Sequence, residues 1–392
     1  MGYRFSRGDV EYLRSDEGRQ ALAACNELEL STSSWLSDIA AAREKVGDRY
    51  AAVVETVLLR RKARAKLDEP GEWLLTDDAL QQASAHYVAR YRADRLAGRD
   101  VHDVTCSIGA DLVTLARTAS RCVGSDLDEV RLAMARHNCA EAGVAPAVVL
   151  ADALRPVSRG TAVVADPGRR DSSGRRTWRP EDFAPPLDAL ARTYAGRDLV
   201  VKCAPGVDPE VVPWAAEVEI ISLDGQVREA CLWSGGLAEV SRRATVLRSD
   251  GSREAVTDTE PDDAAVREVG EWIVDPDGAI VRAGLVRQYA ARHGLGQLDH
   301  RIAYLTGEAP PAGVRAFRVL EHGKYSERAL RAALRKRRVG RVEILVRGLD
   351  VDPNKLRPRL RLGGTEQASV VLTRIGPTPT ALICRAERIP PS

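Results

Sequence analysis

Nowhere in this 392-residue chain does an apolar run approach the roughly 18 residues that a membrane helix needs. Its opening residues, MGYRFSRGDVEYLRSDEG, also lack an apolar signal core, so a cytoplasmic protein with no membrane partner is expected. The seven cysteines (Cys25, Cys106, Cys122, Cys139, Cys203, Cys231 and Cys384) are scattered and form no C-x-x-C pair. That argues against a disulfide framework and against a zinc or iron–sulfur site, and most are expected to be small buried apolar residues. The six histidines are equally dispersed without metal-ligand spacing, and no metal is expected. Lysine is scarce, contributing 7 of the 58 cationic residues.

The length allows two or three domains at about 150 residues each. With 44% hydrophobic and 29% charged residues, the composition is that of a globular protein. The formal charge of +2 conceals an asymmetry: residues 313–392 hold 18 Lys+Arg against 7 Asp+Glu, and the first 312 residues hold 40 against 49. A tail of +11 on a body of −9 is the electrostatic footprint of a nucleic-acid-contacting module. A solvated basic face, or arginine-rich coding, is the alternative that charge alone leaves open.

From about residue 9 to residue 98 the apolar spacing is helical, as in ETVLLRRKARAKL and DDALQQASAHYVARYRADRL. Thr76-Asp77-Asp78 caps the second of these and Glu69-Pro70-Gly71-Glu72 breaks the chain before it. After Gly98, strands alternate with helices: VHDVT, DLVTLARTAS, RCVGSD, DEVRLAMARHNCAEAG, AVVLAD, TAVVAD, PPLDALARTYAG, DLVVK. This is the pattern of a doubly wound parallel sheet whose ligand sits beyond the carboxyl ends of its strands. VEIIS and VREACLW, joined through Leu223-Asp224-Gly225-Gln226, close it as an antiparallel hairpin. Residues 248–270 are polar and are expected to be a linker. The last 80 residues follow a β-α-β-α-β-β order, a ferredoxin-like arrangement.

The sharpest chemical signal is Asp103-Val104-Thr105-Cys106-Ser107-Ile108-Gly109-Ala110-Asp111, at a strand-to-helix turn. Small residues there let a ligand approach backbone N–H groups and a helix N-terminus. The G-x-G-x-x-G of a dinucleotide site is absent. An acid at the strand end instead suits a cationic ligand group. Asp126 ends the second strand, where ribose hydroxyls are held, and Leu127 follows it. Asp128 is read as a helix cap, and Asp152, after the third strand, is placed to accept from an adenine amine.

Residues 98–235 thus resemble a class I S-adenosylmethionine-dependent methyltransferase. The resemblance implies a Rossmann-like core with an antiparallel last strand and S-adenosylmethionine as cofactor. It further implies a binding set of Asp103, Thr105, Cys106, Ser107, Gly109, Asp111, Asp126, Leu127 and Asp152. The family's first motif has two or three glycines and this chain keeps Gly109. The fourth strand ends VVADPGRRD, similar to the Asp-Pro of amino-directed methyltransferases, with Arg169 where their stacking aromatic stands. Asp166, Pro167, Arg169 and Arg170 are therefore expected at the methyl acceptor. Arg175, Arg176, Arg179 and Trp178 interleave cations with an aromatic as RNA binding requires, though a solvated loop would look the same.

Strand five ends Lys202-Cys203-Ala204-Pro205-Gly206, and Lys202 is assigned to the substrate. RNA 5-methyluridine methyltransferases carry a nucleophilic cysteine at a comparable place, so a Cys203 thiolate acting on carbon stays open beside nitrogen chemistry. The whole layout is similar to the bacterial methyltransferases that carry a C-terminal THUMP-like domain. It implies a helical part (1–97), the methyltransferase core (98–247), a linker and cap (248–312) and a basic THUMP-like domain (313–392) that binds structured RNA, tRNA or rRNA. The expected activity is methylation of an RNA base. A small-molecule or protein methyltransferase, or a noncatalytic RNA-binding protein, are the rivals.

Overall fold

The computed structural model describes residues 2–168 and 180–390. The chain divides into two compact units: the residues up to Glu239 with Leu247–Arg253, and Val240–Val246 with the residues from Glu254 onward.

The first unit begins with α1 (Arg7–Arg14), α2 (Asp16–Asn26), α3 (Trp35–Val46) and α4 (Tyr50–Ala63). Ser6 and Asp9 start α1 with a reciprocal capping box. The expected single helix over residues 77–96 is instead two, α5 (Asp77–Gln82), capped by Thr76, and α6 (His86–Arg95). The break has a tertiary cause. Buried Ser84 donates from Oγ to Glu229 Oε2 at 2.8 Å and accepts from Arg92 at 2.8 Å, which outweighs local helix preference.

The doubly wound part then runs β1 (Asp100–Asp103), α7 (Ala110–Thr118), β2 (Arg121–Asp126), α8 (Glu129–Glu141), β3 (Ala147–Leu150), β4 (Ala162–Ala165), α9 (Leu187–Thr193), β5 (Leu199–Cys203), β6 (Glu217–Leu223) and β7 (Gln226–Trp233). The strand order is β3-β2-β1-β4-β5-β7-β6. The first five strands are parallel, and β7 runs antiparallel to both β5 and β6. The β6–β7 turn is Asp224-Gly225, both at positive φ, as a two-residue hairpin requires. The order reverses between β1 and β4, so loops leaving their carboxyl ends diverge and open a crevice.

Two strands, β8 (Arg242–Leu247) and β9 (Arg253–Thr257), straddle the division, so the stretch from 248 is not a plain linker. Beyond it, β10 (Trp272–Val274), α10 (Gly278–Arg282), α11 (Val286–Arg292), β11 (Gly296–Asp299) and β12 (Ile302–Gly307) occupy what was expected to be cap. They lead into β13 (Arg315–Lys324), α12 (Glu327–Lys336), β14 (Val339–Val346), α13 (Pro353–Arg359), β15 (Glu366–Ile375) and β16 (Thr378–Arg388). One sheet, ordered β11-β12-β10-β13-β16-β15-β14, takes strands from both stretches. Alternation along β15 fills two cores, Val370 and Leu372 under α12 and α13, and Val371 with Phe317 and Tyr304 on the other face.

All seven cysteines are free, and all but Cys122 are buried. Among the described residues, no helix is long and apolar enough to cross a membrane, and no cluster of ligating side chains has metal spacing.

Candidate active site

Five strand ends build the site. β1 closes on Asp103, which is 3% exposed, and the chain turns into α7 through Gly109. Gly109 has φ of +83°, and a Cβ there would lie 3.2 Å from the Ala135 Cβ, so the turn admits little else. The Ser107 N–H donates to Asp126 Oδ2 at 2.9 Å, and the Asp128 N–H donates to Asp126 Oδ1 at 2.9 Å. One carboxylate thus fixes the loop after β1 to the start of α8 and still has lone pairs to offer. After β3, Asp152 Oδ1 accepts from the Leu154 N–H at 2.9 Å and turns the chain. After β4, the Asp166 N–H donates to Thr105 Oγ1 at 2.6 Å, tying two strand ends together.

Between these ends lies a cavity of about 590 Å³. Its wall brings together Asp103, Thr105, Cys106, Ser107, Asp111, Asp126, Leu127, Asp152, Asp166 and Lys202. Gly109 and Pro167, expected with them, do not line it: Gly109 shapes the turn, and Pro167 is buried. Cys203 is 1% exposed and also absent from the wall, which removes the geometric basis for a nucleophilic thiolate. Arg169, Arg170, Arg175, Arg176, Trp178 and Arg179 lie outside the described residues.

The electrostatics follow from burying many acids around few cations. Burial, with Asp111 and Asp166 nearby, pushes the Asp103 carboxyl up to about 8, so it is protonated at neutral pH. Burial also acts on Asp111, but Arg92 and Lys202 overcome it and hold that carboxyl below its usual range. Burial raises Asp166, opposed by Lys202, whose Nζ lies 2.6 Å from Asp166 Oδ2. The wall therefore offers a neutral acid, an ionised acid and an ion pair side by side.

Sequence reasoning missed three contributors. Arg92 of α6, 1% exposed, donates from Nη1 to Asp111 Oδ2 at 2.8 Å and pairs with Glu229. Its signal was available, because Arg92 falls within the helical stripe Val88, Ala89, Ala93 and Leu96, where a solvated arginine does not belong. Helix α5 supplies Asp78, Ala79 and Gln82 to the wall. Phe183 reaches it because Gly168 and Ala184 exchange two backbone hydrogen bonds, of 2.8 and 2.9 Å.

Three buried polar atoms on this wall, Ser107 Oγ, Asp111 Oδ1 and Arg92 Nε, have no hydrogen-bond partner among the described residues. Each such orphan costs about 1–3 kcal/mol, so three together mark a site for a polar ligand. Acids at the ends of adjacent parallel strands, beside a tight strand-to-helix turn, define the class: a nucleoside-binding enzyme of the doubly wound type.

The comparisons with known proteins specify it. The chain is 54% identical over 361 residues to an uncharacterized S-adenosylmethionine-dependent methyltransferase of Mycobacterium tuberculosis, in strains CDC 1551 and H37Rv alike. The match covers 88% of this chain and 100% of the relative. Residues 314–386 match the family model described as THUMP domain-like, and residues 6–63 match a domain of unknown function (DUF8688). The crystal structure of a candidate methyltransferase from Porphyromonas gingivalis W83 shares the fold, with a TM-score of 0.74 over 99% of this chain and 100% of that one, at 17% identity. The chain belongs to the S-adenosylmethionine-dependent methyltransferases, in the group with a THUMP-like C-terminal domain. S-adenosylmethionine fits the orphaned donors and acceptors of the wall, since it carries an ammonium, a carboxylate and ribose hydroxyls.

Proposed function

We propose that this enzyme methylates a nitrogen of a base in structured RNA, tRNA or rRNA, in the cytoplasm. What supports RNA as the acceptor is a pair of arginine-lined clefts in the THUMP-like domain. The larger, about 800 Å³, is lined by Arg315, Arg341, Arg357, Arg361 and Arg385 against one carboxylate, Glu343, which is bonded to Arg315. The smaller, about 360 Å³, is lined by Arg331, Arg335, Arg338 and again Arg361. So many cations with so few local counter-charges suit a phosphate backbone.

In this reading Asp103, Thr105, Cys106, Ser107 and Asp111 hold the methionyl end, on the turn that Gly109 permits. Asp126 takes the ribose, Leu127 covers the base at the cavity mouth, and Asp152 accepts from the adenine amine. When bound, the cofactor supplies an electrophilic methyl group. The chain's own part is alignment: Asp166 accepts a hydrogen bond from the acceptor amine and leaves the nitrogen lone pair free for attack. Pro167 stiffens that strand end, and Arg169, Arg170, Arg175, Arg176 and Trp178 steer the RNA.

The test is transfer of labelled methyl to total RNA from cells lacking the gene, with Asp166→Ala as control. Nuclease-sensitive label that the variant fails to produce supports the reading, and label confined to protein or small molecules rejects it.

A further inference from the structure

We propose that Lys202 is a positioning residue that ties the reacting carboxylate of Asp166 to the carboxyl end of helix α5, so that the N-terminal helices hold the methyl-transfer centre in register. The proposal rests on the placement of Asp166 at the transferred methyl. Lys202 sits on β5 with its side chain 4% exposed. Its Nζ donates to Asp166 Oδ2 at 2.6 Å and to the Gln82 carbonyl at 2.9 Å. Lys66 does the same for the two preceding carbonyls, donating to Leu80 O at 2.7 Å and Gln81 O at 2.8 Å. The last three carbonyls of α5, orphaned and at the negative end of its dipole, are thus all taken by two ammonium groups. One of those ammonium groups is shared with Asp166.

A buried ion pair contributes little to stability that apolar packing could not, so stability alone gives no reason for it. A charge kept on the cavity wall does. Asp166 faces Lys202 from β5, Asp111 from α7, Glu229 from β7 and Asp103 from β1. Lys202 is the cation bonded to Asp166, while Arg92 is bonded to Asp111 and Glu229, and Lys66 acts on Asp166 and Asp111 only at longer range, with its ammonium bonded to the α5 carbonyls. Without Lys202, burial and the neighbouring acids Asp111 and Glu229 act on the Asp166 carboxyl with their main opponent gone, and its protonated form gains.

The test uses the full chain and two cofactor analogues. Sinefungin carries an amine where the methyl sulfonium stands, and S-adenosylhomocysteine carries no charge there. Calorimetry on the wild type should show sinefungin bound about tenfold tighter, with a ratio flat from pH 6 to 9. Lys202→Met should bring the ratio toward unity at pH 7 and let it climb as pH rises while the sinefungin amine stays charged, whereas Lys202→Arg keeps it throughout. If Lys202→Met does not fold, Lys202→Gln, which keeps donors without charge, carries the same expectation. A wild-type ratio near unity, unchanged in Asp166→Asn, overturns the placement of Asp166 and this proposal with it. A tenfold ratio lost in Asp166→Asn but kept, pH-independent, in Lys202→Met overturns the Lys202 proposal alone.

Discussion

The two charged regions of this protein handle charge in opposite ways. At the cavity wall, carboxylates crowd together out of water, and each buried cation has a named partner: Arg92 with Asp111 and Glu229, Lys202 with Asp166. On the THUMP-like domain, Arg335, Arg338 and Arg361 are exposed and have no ion pair among the described residues. Paired, desolvated charge fixes geometry, and unpaired, solvated charge attracts polyanions at range. On the proposed function the first kind of charge serves alignment and the second capture of RNA, and substitutions should separate the two.

The largest break is expected in the first region, at Asn138. This wholly buried side chain accepts from the Leu74 N–H at 2.7 Å and donates to Leu74 O and Ile108 O at 2.9 and 2.8 Å, joining the N-terminal segment to the loop after β1. Asn138→Ala strips three buried backbone groups of partners at ~1 kcal/mol each, so urea unfolding should show a loss of about 3 kcal/mol. RNA capture at a temperature where the variant stays folded should be unchanged.

Next, Asp126→Ala removes the acceptor of both the Ser107 and Asp128 N–H groups along with the proposed ribose contact. Calorimetry should show S-adenosylhomocysteine affinity falling on the order of 100-fold, with Asp126→Asn falling less because one acceptor oxygen remains. In the other region, Arg335→Glu with Arg361→Glu should lower RNA affinity about 30-fold and flatten its salt dependence by about two ions. Binding of S-adenosylhomocysteine should not move. If both affinities fall together in either variant, the division of labour fails.

How much of this was legible in sequence differs between the regions for a physical reason. Acids at strand ends announce themselves, because a strand that stops at Asp103, Asp126 or just before Asp152 and Asp166 puts its acid at one sheet edge whatever else happens. Thr76, Asp128 and Asp224-Gly225 act locally too and fold as their residue types dictate. The helix break at Ser84 is not local, since it exists to meet Glu229, 145 positions away. Glu217 and Glu219 look solvent-facing on β6 yet are wholly buried, because Arg95 of α6 covers them. The strands between 272 and 307 were missed because they are short runs flanking a stretch that reads as a turn and an amphipathic helix, and the place of β10 is fixed by pairing with β13, which comes later in the chain. Phe183 needed the exchange between Gly168 and Ala184 to reach the cavity.

The finest test of the buried region is its response to pH. Asp103 has a folded-state carboxyl raised to about 8 by burial, while the unfolded chain holds it near its ordinary value of about 4. Between those two values the native state keeps a proton that the unfolded state has lost. Its stabilising contribution is therefore complete below pH ~4, declines as pH rises through the window, and is gone above about 8, at ~1 kcal/mol per pH unit. Asp103→Asn keeps the shape and removes the titration, so the difference in urea-unfolding stability between variant and wild type should widen steadily from pH 5 to pH 8 and then level off. Saturating S-adenosylmethionine should flatten the curve if its ammonium draws the proton from Asp103, since the ligand-bound native state then holds no more protons than the unfolded chain. A parallel course for the two proteins would mean that Asp103 is already ionised, and that the buried wall carries one more negative charge than its geometry implies.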